Sequence, residues 1–298
     1  MYLDEERPKV TAAMDNPHNP HNPHNPLSPR ISLGFAAGAL IAAFLLAQLF
    51  GKLAGDVARA ITHAADGTMT AGVVIPSMLA SELALLLVSV VVPLAAAKPV
   101  RETLGLQLAS APVILVTALG TVMLGPIGDR AMSLFSELFP HLTLGVVPSL
   151  HDLAQRLPMV WLWPTFALLP GMAEELLFRG VLQRSFHRRG LGIAVAGTAF
   201  ALFHVDPVHV IGVLPLGLFL SWAAARSCTT VTIVAHVINN SIAVLAIRHS
   251  ELDVGYGAER PLPDSWLAVS MGVFLLCALA LVQLTRVNAV PSTAQGTG

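Results

Sequence analysis

Charge is what this sequence has least of. Lys, Arg, Asp and Glu together make up 12% of its 298 residues, against about 25% in a soluble domain, so the polar surface that keeps a soluble enzyme dissolved is missing. An imbalance of sign is missing too. The 17 Lys and Arg offset 18 Asp and Glu, which leaves no basic face for nucleic acid and no acidic tail for a basic partner. Cysteine is nearly absent. Cys228 and Cys277 stand far apart inside apolar runs with no CxxC spacing, which excludes a disulfide framework and a structural zinc cluster and leaves both as small apolar fillers.

What is present is apolar length, with 54% hydrophobic residues and a mean hydropathy of +0.69. A membrane-spanning helix needs about 20 mostly apolar residues, since the hydrocarbon layer is roughly 30 Å thick and each residue rises about 1.5 Å. Uncharged stretches at 31–51, 108–127, 207–225, 227–247 and 265–285 meet that length. A sixth, 71–97, is broken only by Glu82; a seventh, 157–173, continues through charged residues toward Phe186; 190–205 is the shortest. The pattern predicts an all-α polytopic bundle of about eight membrane-spanning helices.

That bundle is expected over residues 31–286, between a flexible Pro/His-rich tail at 1–30 and a flexible tail at 287–298. Residues 16–26 repeat Asn-Pro-His, too rich in proline for a helix and suited to extended polyproline II structure. Its His18, His21 and His24 are read as solvated, with no catalytic role. No small-residue cleavage pattern is clearly placed, so the first helix is expected to stay rather than act as a removed signal peptide. Lys and Arg fall in a ratio of ten to six in favour of the side that holds both termini, which predicts cytoplasmic termini in the cell membrane.

Ionisable groups inside a membrane cost at least about 2.5 kcal/mol each on insertion scales and are functional candidates by default. The sequence Gly171-Met172-Ala173-Glu174-Glu175-Leu176-Leu177-Phe178-Arg179 sets two adjacent carboxylates in an apolar helix. Neighbours on a helix point about 100° apart, so the two do different work. Glu175 and Arg179, four apart with the acid first, are expected to pair. Glu174 is left to face the bundle interior. Phe200 shares a helix face with His204, and His236 with Asn240. His236 and Asn240 thus present an imidazole and an amide together, a pair suited to a bound water or a developing oxyanion. One carboxylate and two imidazoles on three helices supply either a general base with polarising groups or three ligands for a divalent metal, and the sequence alone leaves both open.

In their order along the chain, Glu-Glu-x-x-x-Arg at 174–179, Phe-x-x-x-His at 200–204 and His-x-x-x-Asn at 236–240 resemble the CPBP family of intramembrane proteases, which includes the type II CAAX prenyl endopeptidases and the bacterial Abi proteins. The resemblance covers residues 158–247 and does not reach the first three helices. It implies an intramembrane endopeptidase acting on membrane-associated proteins or peptides. By that resemblance, Glu174 and His204 activate the attacking water, and His236 and Asn240 stabilise the tetrahedral oxyanion. A zinc ion held by Glu174, His204 and His236 is inherited as an open alternative. Two rivals use the same residues differently: a non-proteolytic membrane scaffold or bacteriocin-immunity-type protein, and an ion path through Glu82, Glu174 and the histidines. The last ranks lowest, since no inverted repeat or paired broken helices are evident.

Catalysis requires Glu174, His204 and His236 to converge, although simple helix counting puts their depths about 10 Å apart. Tilt or a kink at Pro164 or Pro170 is expected to close the gap. Simpler readings apply elsewhere. His63 and His209 are read as satisfied core residues. Glu82 is read as bonded to a neighbouring helix or lining a polar cavity. Arg184, Arg188 and Arg189 are read as anchors of the cytoplasmic edge that also attract acidic headgroups. Residues 132–157 form either an amphipathic surface helix or a lid over the site, and 248–264 a solvated loop.

Overall fold

The computed structural model describes residues 30–65, 70–142, 153–249 and 263–287. The Asn-Pro-His repeat, most of the 248–264 connection and the C-terminal tail lie outside the described residues, as does 143–152 of the surface helix or lid. Every regular element among the described residues is helical: α1 (Leu33–Thr62), α2 (Ala71–Ala95), the short α3 (Val100–Thr103), α4 (Ala111–Leu138), α5 (Met159–Trp163), α6 (Leu169–Glu175), α7 (Arg189–Leu202), α8 (Pro207–Arg226), α9 (Thr229–Arg248) and α10 (Asp264–Val287), with π- and 3-10-helical turns between some of them. Six of these, α1, α2, α4, α8, α9 and α10, are long and apolar enough to cross a membrane. The expected count of eight turns on two further segments: the helical run 159–185, which contains α5 and α6, and α7, whose 14 residues reach only about 21 Å.

Two of the apolar runs prove longer as helices than as spans. α1 was expected to end at Gly51 and α4 at residue 127, where charge begins. α1 instead continues to Thr62 because Lys52 and Arg59 both bond Asp56 one turn away, and such i,i+3 and i,i+4 pairs support a helix outside the apolar layer. At about 45 Å, α1 exceeds the hydrocarbon thickness by several turns. α4 runs on to Leu138, so the first part of the expected surface helix belongs to it.

The packing of α1 on α2 is inverted relative to a soluble protein. α1 buries Ala36, Ala39, Ala43, Ala47, Gly51, Gly55 and Ala58 while Ile41, Leu45, Leu49 and Leu53 are exposed. Small residues inside and large apolar ones outside is the arrangement of helices that associate in lipid, where burying leucine gains nothing over the acyl chains. Close approach lets hydroxyls cross the interface: Ser77 donates to the Gly51 carbonyl at 2.8 Å and Ser81 to that of Ala47 at 2.9 Å. A Cβ on Gly51 would lie 2.2 Å from Ser81 Oγ.

A second group, α4, α8, α9 and α10, packs around α4. Cys228 and Cys277 are free and buried there, as fillers should be. The run 159–185 passes between the two groups, touching α2 on one side and α9 on the other. It is a helix with two wide π turns, Pro164–Leu168 and Leu176–Leu182, on either side of α6. The first has a local cause: Pro170 has no N–H to give, and the N–H of Leu169 reaches back five residues to Pro164. Single π turns inside helices often mark functional sites, and here they bracket the two glutamates.

His63 corrects an expectation. It is exposed and ends α1 in the left-handed region at φ 53°, a helix terminus rather than a core residue.

Candidate active site

α6 meets α9 at Gly171. A Cβ there would stand 2.7 Å from Val237 Cγ2 and 3.0 Å from its backbone nitrogen, so only glycine lets the backbones come this close. Gly171 and Glu175 are four apart and share a face, and that contact delivers Glu175 to the residue before Val237. His236 Nδ1 donates to Glu175 Oε1 at 3.0 Å. The same oxygen accepts from Arg179 Nη1 at 2.7 Å, both side chains fully buried. The expected i,i+4 pair is therefore present, and it has taken an imidazole as a third member.

Arg179 is held from a further direction. Its Nη2 donates to the Gly217 carbonyl at 2.9 Å, and its guanidinium lies 4.5 Å above the Phe200 ring, a cation–π contact in a desolvated setting. α7 and α8 cross closely at this level, since a Cβ on Gly217 would lie 2.5 Å from the Gly197 carbonyl and 2.9 Å from Phe200 Cδ1.

With Nδ1–H given to Glu175, the other ring nitrogen of His236 is fixed in direction. It faces Glu174, Nε2 to Oε2 being 3.9 Å. That is too long for a hydrogen bond and is the kind of polar gap a water bridges. Glu174 is 13% exposed where Glu175 is sealed. Glu175 makes its expected pair with Arg179 and, beyond that expectation, orients His236, while Glu174 is the more open of the two.

His204 also borders Phe200. Phe200 packs edge-on against His204 at 5.2 Å and against His236 at 5.6 Å between ring centroids. His204 follows the last turn of α7. Its Nδ1 donates to the Phe200 carbonyl at 3.0 Å, leaving Nε2 unspent. The chain then reverses through Val205 in the left-handed region at φ 64°, an outlier for a β-branched residue. Asp206 next caps α8 by accepting from the Val208 N–H at 2.9 Å. Asn240 sits one turn beyond His236 on α9, its Oδ1 accepting from the Asn239 side-chain amide at 3.2 Å.

Glu174, Glu175, Arg179, Phe200 and His236 form one cluster, and His204 joins it through Phe200. Whether these residues suit a three-ligand metal can be judged from their placement. Among the described residues no three His, Cys, Asp or Glu side chains are arranged to hold one ion. Glu174 and His236 could offer two ligands, and Phe200 packs against both His236 and His204.

Two further residues border the site. The ring of His209 lies 4.5 Å from that of His204. Glu82 lies on α2, which packs against α6, and its buried Oε2 has no hydrogen-bond partner among the described residues. Of its two expected roles, a bond to a neighbouring helix or the lining of a polar cavity, the second suits this oxygen. The signal for it was available as the only charge in an apolar run. Gly171, one turn before a buried acid, was the other readable sign.

The fold and this cluster define a class: a polytopic α-helical membrane protein with a buried glutamate–histidine site. Residues 156–242 match the family model described as Type II CAAX prenyl endopeptidase Rce1-like, which bears out the resemblance to the CPBP intramembrane proteases. The matched segment contains all three motifs. At the level of the family it supports a CAAX-type intramembrane protease. No curated protein and no solved structure matches the chain.

Proposed function

We propose that this protein is an intramembrane endopeptidase in which Glu174 is the general base. The observation that carries the reading is the open Glu174 carboxylate opposite His236 Nε2 at 3.9 Å, with His236 oriented from behind by Glu175. A water in that gap gives its proton to Glu174 and its oxygen to the substrate carbonyl carbon, forming a tetrahedral oxyanion. The proton then passes to the leaving amine as the C–N bond breaks.

Asn240 supplies an amide N–H₂ to the oxyanion. His236 can do so only when protonated on both nitrogens, because its Nδ1–H is already given to Glu175. His204, with its Nδ1–H on the Phe200 carbonyl, offers Nε2 as a second acceptor for the water. These steps use only the chain's own residues. The substrate is a membrane-associated protein or peptide, and the termini are assigned to the cytoplasmic side by the arginine bias.

Cleavage of a peptide library by detergent-purified protein, wild type beside Glu174→Gln and His204→Ala, tests this. Loss of cleavage in folded variants is expected, and full activity in either would overturn the assignment. A chelator arm decides the metal: cleavage that persists fits a glutamate base acting alone, while loss reversed by added zinc would assign an ion to the site.

A further inference from the structure

Arginines gather at the other end of α6's helical run. A pocket at this edge is lined by Arg30, Arg179, Gln183, Arg184 and Thr229, with Phe186 and two alanines of α8. Arg30 precedes α1, Arg184 lies in the turn Gln183–Ser185, and Thr229 begins α9. Among the described residues no carboxylate lies within ion-pair distance of Arg30 or Arg184. The two charges act on each other across the pocket, and Arg184 is partly desolvated. Two cations held at close quarters in a partly dry place are unfavourable unless an anion joins them.

The donors are unspent. Arg184 gives Nε to the Thr103 carbonyl at 2.9 Å and Nη2 to that of Glu102 at 3.2 Å, which fixes the side chain and leaves Nη1 over Gly105. Gly105 is left-handed at φ 68°, and a Cβ on it would lie 2.9 Å from that Nη1 and 3.1 Å from Thr229 Oγ1. The missing side chain keeps the two donors open beside one another. Among the described residues Arg30 bonds the ring of His187, at 3.3 Å. α9 starts at Cys228 with no side-chain cap, its first N–H going to the Gly105 carbonyl at 3.1 Å. An uncapped helix start favours an anion. At the floor, Arg179 (1% exposed) keeps an unpartnered Nε and Gln183 (8%) an unpartnered Oε1.

We propose that this pocket binds a phosphate group, that of an anionic phospholipid headgroup lodged between Arg30, Arg184 and Thr229. The enclosed volume of about 20 Å³ admits one water at the floor, so the phosphate sits at the mouth, where Arg30 is partly exposed. Acyl chains then lie along the apolar outer faces, and the bound lipid braces the end of the helix that carries Glu174.

The test is the thermal unfolding of the full chain in detergent with added phosphatidylglycerol, phosphatidylcholine or inorganic phosphate. Phosphatidylglycerol is expected to raise Tm and phosphatidylcholine much less. Arg30→Gln should weaken the phosphatidylglycerol effect roughly tenfold in the concentration required, the loss of one charge-assisted bond, and Arg30→Lys should recover part of it. Arg188→Gln removes an exposed charge from the same edge outside the pocket and should behave as wild type. Inorganic phosphate that reproduces the shift, with the same dependence on Arg30, keeps the anion site and makes free phosphate its occupant. Equal stabilisation by the two lipids, or equal losses in Arg30→Gln and Arg188→Gln, would overturn the proposal. Peptide cleavage is not the readout, so the outcome is independent of the proposed activity.

Discussion

α1 against α2 and α6 against α9 are built by the same device and bury opposite things. In each, one glycine lets two helices approach: Gly51 beneath Ser81, Gly171 beneath Val237. At α1–α2 the space is spent on serine hydroxyls bonding backbone carbonyls, and the outer face is leucine and isoleucine. At α6–α9 it brings a sealed Glu175–Arg179 pair onto His236. The first contact is what any two helices in lipid need. The second places charge where it costs most, a cost that the proposed catalytic role would account for.

The comparison can be broken most sharply at Glu174. Glu174→Gln is expected to lower cleavage by about 10²–10⁴-fold, the range for a general base, with unfolding temperature unchanged. The next largest effect is on stability. Arg179→Met strands the Glu175 carboxylate and should cost about 3–5 kcal/mol, read from unfolding in detergent; adding Glu175→Gln to it should restore part of that loss.

Gly51→Val and Gly171→Val set the two contacts side by side. Each overpacks a helix crossing and should cost about 1–3 kcal/mol. Only Gly171→Val should also cut kcat per folded molecule, because it alone moves a glutamate relative to His236. Equal losses of kcat would mean that α1–α2 also shapes the site. Ser77→Ala is the smallest change, about 0.6 kcal/mol for one interhelical hydrogen bond, and should leave cleavage untouched.

Much of this was readable from residue order. Helical spacing pairs Glu175 with Arg179 and sets Phe200 beside His204, since i,i+4 neighbours meet in any helix, and both contacts are present. Span edges were less readable, because the Lys52–Asp56–Arg59 ladder carries α1 past its apolar run. The surroundings of Glu82 and His209 were not readable for another reason. Their neighbours, Glu174 and His204, are distant in sequence or lie across a chain reversal, and no periodicity within one helix reports such a contact.

The amino-acid sequence by itself determined that this protein lives in a membrane, that it is helical, and which few polar residues its helices carry inward. Composition and period suffice for that, because lipid admits few charges and each helix fixes its own faces. Tertiary structure alone decided that Glu175 rather than Glu174 holds His236, that Phe200 packs against both histidines, and that Arg30 and Arg184 line one pocket. Those outcomes depend on how closely and at what tilt separate helices cross, and the crossing is set by the few positions, Gly171 and Gly217 among them, where a single added carbon would collide with the neighbouring helix.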